Sequence, residues 1–208
     1  SGFTQIITTP GMELDDDTRN DINHQINENT NRITGLVNKM LELSDTTSKS
    51  VIERNDDAPA VQIAAQAAED SGINNAENVT FDLQIAPEAE AAMLHTNLQQ
   101  ATRALGLLLD NAIKFSDANS DIKLETSEKN DTVFVSVKDS GIGIPKDDLK
   151  LIWDRFYKSD LSRGKDKKGT GLGLSIVKEI INSHNENINV ISTEGVGTEF
   201  IFSLPKSA

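Results

Sequence analysis

Asp139-Ser140-Gly141-Ile142-Gly143-Ile144 opens the stretch around which this sequence of 208 residues is organised, and Gly169-Thr170-Gly171-Leu172-Gly173-Leu174 closes it. Between them lie an aromatic and basic segment, Trp153-Asp154-Arg155-Phe156-Tyr157-Lys158, and a polar loop carrying Arg163, Lys165, Lys167 and Lys168. Glycine lacks a Cβ and admits positive φ, so backbone N–H groups can turn toward a flat anionic ligand such as a nucleotide. One such cluster is commonplace. Two of them, flanking a cationic loop and led by a carboxylate, point to a nucleotide site.

Working outward, Val133, Val135 and Val137 alternate with polar residues, which predicts a strand over 132–138 that delivers Asp139 to the first cluster. A second strand is expected over about 121–126. Val79, Phe81, Leu83 and Ile85 mark a third over 79–85. The span 96–116 reads as a helix with Leu98, Ala101, Leu105, Leu108, Leu109 and Ala112 on its core face. Further helices are expected at about 60–70 and from Leu174 to Ser183. Ile188–Ser192 and Thr198–Leu204 form a hairpin around Glu194-Gly195-Val196-Gly197. Strands and helices interleave without strict βαβ order, which implies an α+β fold: a mixed sheet covered by helices on one side.

The N-terminal part has a different character. Asp15, Asp16 and Asp17 suit the start of a helix near Thr18. Ile22, Ile26, Asn29, Ile33, Leu36, Met40 and Leu43 then alternate four and three apart, a heptad seam with one polar member, and Val37 and Leu41 widen it. The pattern predicts one arm of a helical hairpin that pairs with a second copy of the chain. A polar stretch over 45–58 reads as a linker.

The formal charge of −13 argues against nucleic acid or an anionic membrane as the main partner. With no cysteine there is neither a disulfide framework nor thiolate chemistry, and a reducing compartment is compatible. No apolar run approaches the roughly 20 residues that span a bilayer. The sequence begins at Ser1 without Met, as expected of a piece of a longer protein.

Three groups of residues carry the chemistry. At roughly 100° per residue, Lys114 and Phe115 each point within about 60° of Asn111, beside the core stripe of their helix. The amide oxygen of Asn111 suits Mg²⁺, the lysine offers a point charge to phosphate, and the aromatic can border a base or ribose. Asp139 when ionised only accepts hydrogen bonds, so it selects adenine, whose 6-amino group donates, over guanine. Gly169, Gly171 and Gly173 precede a helix whose N-terminal N–H groups and dipole suit phosphate.

At these residues a family resemblance appears. Leu108-Leu109-Asp110-Asn111-Ala112-Ile113-Lys114-Phe115-Ser116 resembles the N box of sensor histidine kinases, and Asp139-Ser140-Gly141-Ile142-Gly143-Ile144-Pro145 their first glycine box. Ile152-Trp153-Asp154-Arg155-Phe156-Tyr157 resembles the F box, and Gly169-Thr170-Gly171-Leu172-Gly173-Leu174-Ser175-Ile176-Val177 the second glycine box. Gly195-Val196-Gly197-Thr198-Glu199-Phe200 resembles the family's last element.

The resemblance implies a Bergerat-type α/β sandwich preceded by a helical hairpin. Residues 1–47 would hold part of the dimerisation and phosphoacceptor hairpin, and 48–208 the ATP-binding domain, with a lid between Tyr157 and Gly171. It implies ATP and Mg²⁺ as cofactors, with Asn111 at the metal and Asn111, Lys114 and Phe156 as catalytic residues. Phe115, Gly141, Gly143, Ile144, Arg163, Lys168, Thr170, Leu172 and Thr198 join Asp139 and the second glycine cluster around the nucleotide. A homodimer, a response-regulator receiver domain as partner, and a cytoplasmic position within a membrane-anchored parent follow from the same likeness, with no membrane contact by these residues.

Two departures qualify it. Leu107 stands four residues before Asn111, where the family usually has a second Asn and where hydrolytic relatives carry a general base nearby; leucine cannot orient water, so efficient hydrolysis is not expected. Asn185-Glu186-Asn187 replaces a glycine pair and changes only a turn. Of the three histidines, none has the acidic neighbour and proline-bearing tail of the family's acceptor, so the acceptor is expected upstream of Ser1. The rival functions are a nucleotide-sensing pseudokinase, supported by Leu107, and a hydrolytic ATPase, opposed by it.

Overall fold

The computed structural model describes residues 15–48, 53–165 and 169–207. The chain divides into two compact units, Ser1–Ser44 and Asp45–Ala208. Helix α1 runs Asp16–Ser48. Asp15 caps it: one carboxylate oxygen accepts from the Thr18 N–H at 2.7 Å and the other from the Thr18 hydroxyl at 2.9 Å. Along its apolar seam Ile22 is buried and Ile26 half-buried, while Ile33 and Val37 are 61% and 47% exposed. Asn29 turns its amide back onto the Gln25 carbonyl at 2.8 Å. The side chains of Leu36, Met40, Leu41 and Leu43, and residues 1–14 of the expected partial hairpin, lie outside the described residues.

The larger unit begins with strand β1, Asp56–Pro59, and helix α2, Ala60–Ser71. A 3₁₀ turn, strand β2 (Val79–Ile85), short helix α3 (Pro87–Glu90) and strand β3 (Met93–Thr96) lead to helix α4, Leu98–Phe115. Strands β4 (Ser120–Lys129) and β5 (Thr132–Asp139), helices α5 (Asp160–Lys165) and α6 (Gly173–Ser183), and strands β6 (Ile188–Thr193) and β7 (Gly197–Pro205) complete it. The main sheet has the order β2-β4-β5-β7-β6 and is mixed: β2 runs parallel to β4 and the remaining pairs are antiparallel. A parallel pair needs a long crossover, and α4 lies within it.

Alternation along the strands puts Ile122, Leu124, Val133, Val135, Val137, Phe200, Phe202 and Leu204 into one buried layer. Leu105, Leu108, Leu109 and Ala112 of α4, Ile176, Val177, Ile180 and Ile181 of α6, and Ile63, Ala64 and Ala67 of α2 are buried helical residues of this unit. The other face of the sheet carries exposed Phe134 and half-buried Ser136, Glu199 and Ile201, so the helices cover one side only. Truncating any one of the buried leucines of α4 to alanine would cost about 2–5 kcal/mol.

The stretch expected as a linker is structured at both ends. Helix α1 continues to Ser48, and Asp56–Pro59 pairs antiparallel with Met93–Thr96. Four-residue strands containing proline show no periodicity, which is why the sequence pattern misses them. The small sheet matters because Asp56 there accepts from the Leu98 N–H at 2.9 Å, while Asn97 accepts from the Gln100 N–H at 3.0 Å. Two orphan donors at the start of α4 are satisfied this way. His184 links the same point to α6. Its Nε2 accepts from the Asn97 N–H at 3.2 Å, so its Nδ1 carries the proton and donates to the Ile180 carbonyl at 2.8 Å. Arg54 donates to the His184 carbonyl. The ring is fully buried, and burial pushes its pKa down.

Candidate nucleotide-binding site

Strand β5 ends at Asp139, which is buried on the helix-covered side of the sheet. One carboxylate oxygen, Oδ1, accepts from the Gly141 N–H at 2.9 Å and from the Thr198 N–H at 3.2 Å. Both bonds land on Oδ1, so Oδ2 is the oxygen left to meet a ligand donor. Burial raises the Asp139 pKa, against the lowering effect of the two backbone donors and of the Lys165 charge. A half-desolvated carboxylate with one oriented acceptor is suited to an amino group on a flat apolar base.

The first glycine loop is clamped between α4 and the β6–β7 hairpin. A Cβ on Gly141 would strike the Phe115 carbonyl, which also accepts from the Ile142 N–H at 3.2 Å. Gly143, at φ +66°, has no space for a Cβ because the Thr193 carbonyl and the Glu194 Cα occupy it. The Ile142 carbonyl accepts from the Gly195 N–H at 2.8 Å, and the Ile144 N–H donates to the Ser192 hydroxyl at 2.8 Å. The N–H groups of Gly141, Ile142 and Ile144 are therefore spent within the protein. The sequence suggested that this cluster turns N–H groups toward a ligand; these three have protein partners, and Gly141 and Gly143 serve close approach.

The second cluster leads into α6. No side chain caps this helix, so no side-chain oxygen takes the N–H groups of its first turn, the groups that a helix N-terminus can offer to an anion. Leu172 is buried, its N–H lies 3.4 Å from the Thr170 hydroxyl, and the Gly169 carbonyl accepts from Lys158 at 3.2 Å. Gly171, at φ +71°, packs against the backbone of Phe156 and Tyr157, and its carbonyl accepts from the Phe156 N–H at 2.9 Å. Phe156 itself sits at φ +67°, a left-handed conformation costing a non-glycine residue on the order of 1 kcal/mol, with its ring 52% exposed. The F box and the second glycine loop are thus clipped backbone to backbone, with the ring held outward.

Helix α5 lies within the expected lid. Lys165 donates to the Phe115 carbonyl at 3.1 Å, the Ser116 carbonyl at 2.9 Å and the Asp117 carboxylate at 2.6 Å. All three ammonium protons are used on the C-terminal end of α4, a favourable place for a cation. Lys165, grouped from sequence with the cations available to the nucleotide, instead ties α5 to the C-terminal end of α4. The Arg163 side chain and Lys167 and Lys168 lie outside the described residues.

Asn111, one turn before Phe115 on α4, is half-buried, and Lys114 is exposed. Leu107 is also half-buried and borders a groove of ≈ 630 Å³ with Gln66 and Asp70 of α2 and Arg103 and Asp110 of α4. Among the described residues no group of three His, Cys, Asp or Glu side chains could hold a metal. A cation here would rely on the Asn111 amide oxygen, phosphate oxygens and water, an oxygen set that Mg²⁺ accepts. Sequence reasoning missed Ser192 and the role of Lys165, since neither stands in a recognisable pattern.

The fold and this site define an ATPase class. The family model described as histidine kinase-, DNA gyrase B- and HSP90-like ATPase matches residues 96–208, more than half of the chain, and the chain belongs to that family. Its place there is among the sensor histidine kinases. It is 33% identical over 184 residues to the sensor histidine kinase YclK of Bacillus subtilis, covering 88% of this chain and 38% of that protein. The catalytic domain of the histidine kinase ThkA superposes with a TM-score of 0.62 at 26% identity, covering 74% of this chain and 98% of that one. Full-length ShkA in complex with AMPPNP shares the fold with a TM-score of 0.76 at 22% identity, over 95% of this chain and 40% of that one. The chain thus spans well under half the length of its curated relative.

Proposed function

We propose that residues 48–208 bind Mg·ATP and deliver its γ-phosphoryl group to a histidine imidazole, for relay to an aspartate of a response-regulator receiver domain. Residues 1–47 would belong to the hairpin through which two copies pair. Asp139 Oδ2 accepts from the adenine amino group. The first turn of α6 and the lid cations face the phosphates, with Lys114 alongside. Asn111 would hold Mg²⁺, which when bound neutralises phosphate charge. The imidazole nitrogen attacks phosphorus, a P–N bond forms, and the P–O bond to ADP breaks. The exposed Phe156 ring offers an apolar contact to the acceptor hairpin.

None of the three histidines suits the acceptor role. His184 is buried with both nitrogens engaged, His95 pairs with Asp57 at 3.1 Å, and His24 lacks the acceptor's neighbours. We therefore assign the acceptor to another histidine of the parent protein. Leu107 leaves no general base one turn before Asn111, so water competes poorly for the phosphoryl group.

The observation that carries this reading is the buried Asp139 carboxylate, oriented by two backbone donors on one oxygen and presenting the other. Calorimetric titration should give tighter binding of ATP and ADP than of GTP and GDP. Equal affinities for the two bases would refute it.

A further inference from the structure

Three residues stand abreast where the sheet meets the first glycine loop. Asp139 on β5 faces Thr198 on β7, and Thr198 faces Ser192 on β6. Directly paired residues project to the same side of a sheet, so the row places the Ser192 hydroxyl on the loop's side. That hydroxyl has three partners: the Ile144 N–H at 2.8 Å, the Gly197 carbonyl at 2.9 Å and the Thr198 hydroxyl at 2.9 Å. A hydroxyl offers one proton and two lone pairs. The carbonyl can only accept and the N–H can only donate, so one assignment remains. Ser192 donates to Gly197 and accepts from both Ile144 and Thr198.

We infer that Ser192 is a positioning residue for base recognition, joining the two structures that place the adenine-reading carboxylate. One connection runs through Thr198, whose N–H holds Asp139 Oδ1 at 3.2 Å while its hydroxyl is held by Ser192. The other runs to Ile144, the far end of the loop that Asp139 begins. Between these anchors the loop has no independent freedom, since Gly143 lies against Thr193 and Ile142 is tied to Gly195. Removing the hydroxyl leaves the Ile144 N–H and the Thr198 hydroxyl unpaired and lets the Asp139 carboxylate rotate away from its ligand-facing orientation. The inference rests on the adenine reading above.

The test compares ADP with inosine diphosphate, which has a 6-oxo group in place of the amino group, by calorimetry. Ser192→Ala should weaken ADP about tenfold, the usual effect of stranding a polar partner, and leave inosine diphosphate nearly unchanged. Ile144 amide exchange in the nucleotide-free protein should quicken about tenfold in the same variant, as expected for a lost hydrogen bond. Ser192→Thr, which keeps the hydroxyl, should restore both. Thr198→Val, which keeps its backbone N–H, should show the same loss of preference, and it decides the matter if Ser192→Ala does not fold. An unaltered preference in the variants, or equal weakening of both nucleotides, overturns the inference. A wild-type protein that binds neither nucleotide defeats the adenine reading instead, and unchanged Ile144 exchange in Ser192→Ala would still reject the holding role.

Discussion

The two glycine clusters look alike in sequence, yet Gly143 of the first and Gly173 of the second stand in opposite surroundings. Around Gly143 the backbone of the β6–β7 hairpin fills the space where a side chain would stand, and the N–H groups of Gly141, Ile142 and Ile144 are taken by a carboxylate, a carbonyl and a hydroxyl. At Gly173 nothing lies within 4 Å of the point a Cβ would occupy, and the helix it opens has no side-chain cap. On the function proposed above, the first cluster would serve as a fixed template for a base. At Gly173 the second would keep polar backbone in reserve for a ligand that arrives with its own charge. The same residue type serves close packing in one place and bare backbone in the other.

Substitution should expose that contrast most strongly. Gly143→Ala forces a Cβ into backbone at positive φ and should cost about 3 kcal/mol or more, combining left-handed strain with overpacking. Gly173→Ala should shift stability by less than about 1 kcal/mol in the same denaturant titration. Similar costs at the two sites would erase the distinction.

Asp139→Asn should weaken ADP by about 10- to 100-fold, the range for a charged hydrogen bond, yet leave the nucleotide-free domain as stable or more stable. Burial raises this carboxyl's pKa, so the fold bears a penalty for its charge at neutral pH. Nucleotide requires the ionised form. ADP affinity should therefore hold above the raised pKa and be lost as pH falls through it, whereas folded stability gains over that same fall. An Asp139→Asn variant that unfolds more readily, or wild-type affinity that rises on acidification, would contradict this assignment.

The smallest effect is expected at the lid. Lys165→Met removes three hydrogen bonds to the end of α4, an exposed helix-terminus interaction of about 0.3–1 kcal/mol. Amide exchange across Asp160–Lys165 should quicken while Ile144 remains protected. Unchanged exchange in α5 would show that the ammonium does not restrain it.

Much of this was legible because periodicity carries the large elements. Val133, Val135 and Val137 announce a strand, and the stripe on α4 announces the helix beneath it. Asp139 and its glycines stand out as a local pattern. Ser192 does not, because a serine in an alternating strand is ordinary until register sets it opposite Thr198. Lys165 misled for the opposite reason. A lysine in a glycine-rich loop suggests phosphate, and only the tertiary approach of α5 to Phe115 and Ser116 shows what its charge meets. Strands β1 and β3 are too short and irregular for any period to show.

His184 gives the domain a form of chemical self-exclusion. A protein proposed to feed phosphoryl groups to imidazole keeps one imidazole in its own core. The Nε2 lone pair that would attack phosphorus is held by the Asn97 N–H, and the Nδ1 proton is directed at the Ile180 carbonyl. With burial also disfavouring the cationic ring, the side chain offers neither nucleophile nor access. That imidazole is therefore closed to the reaction proposed for this domain, and a phosphoryl group could not be diverted onto it.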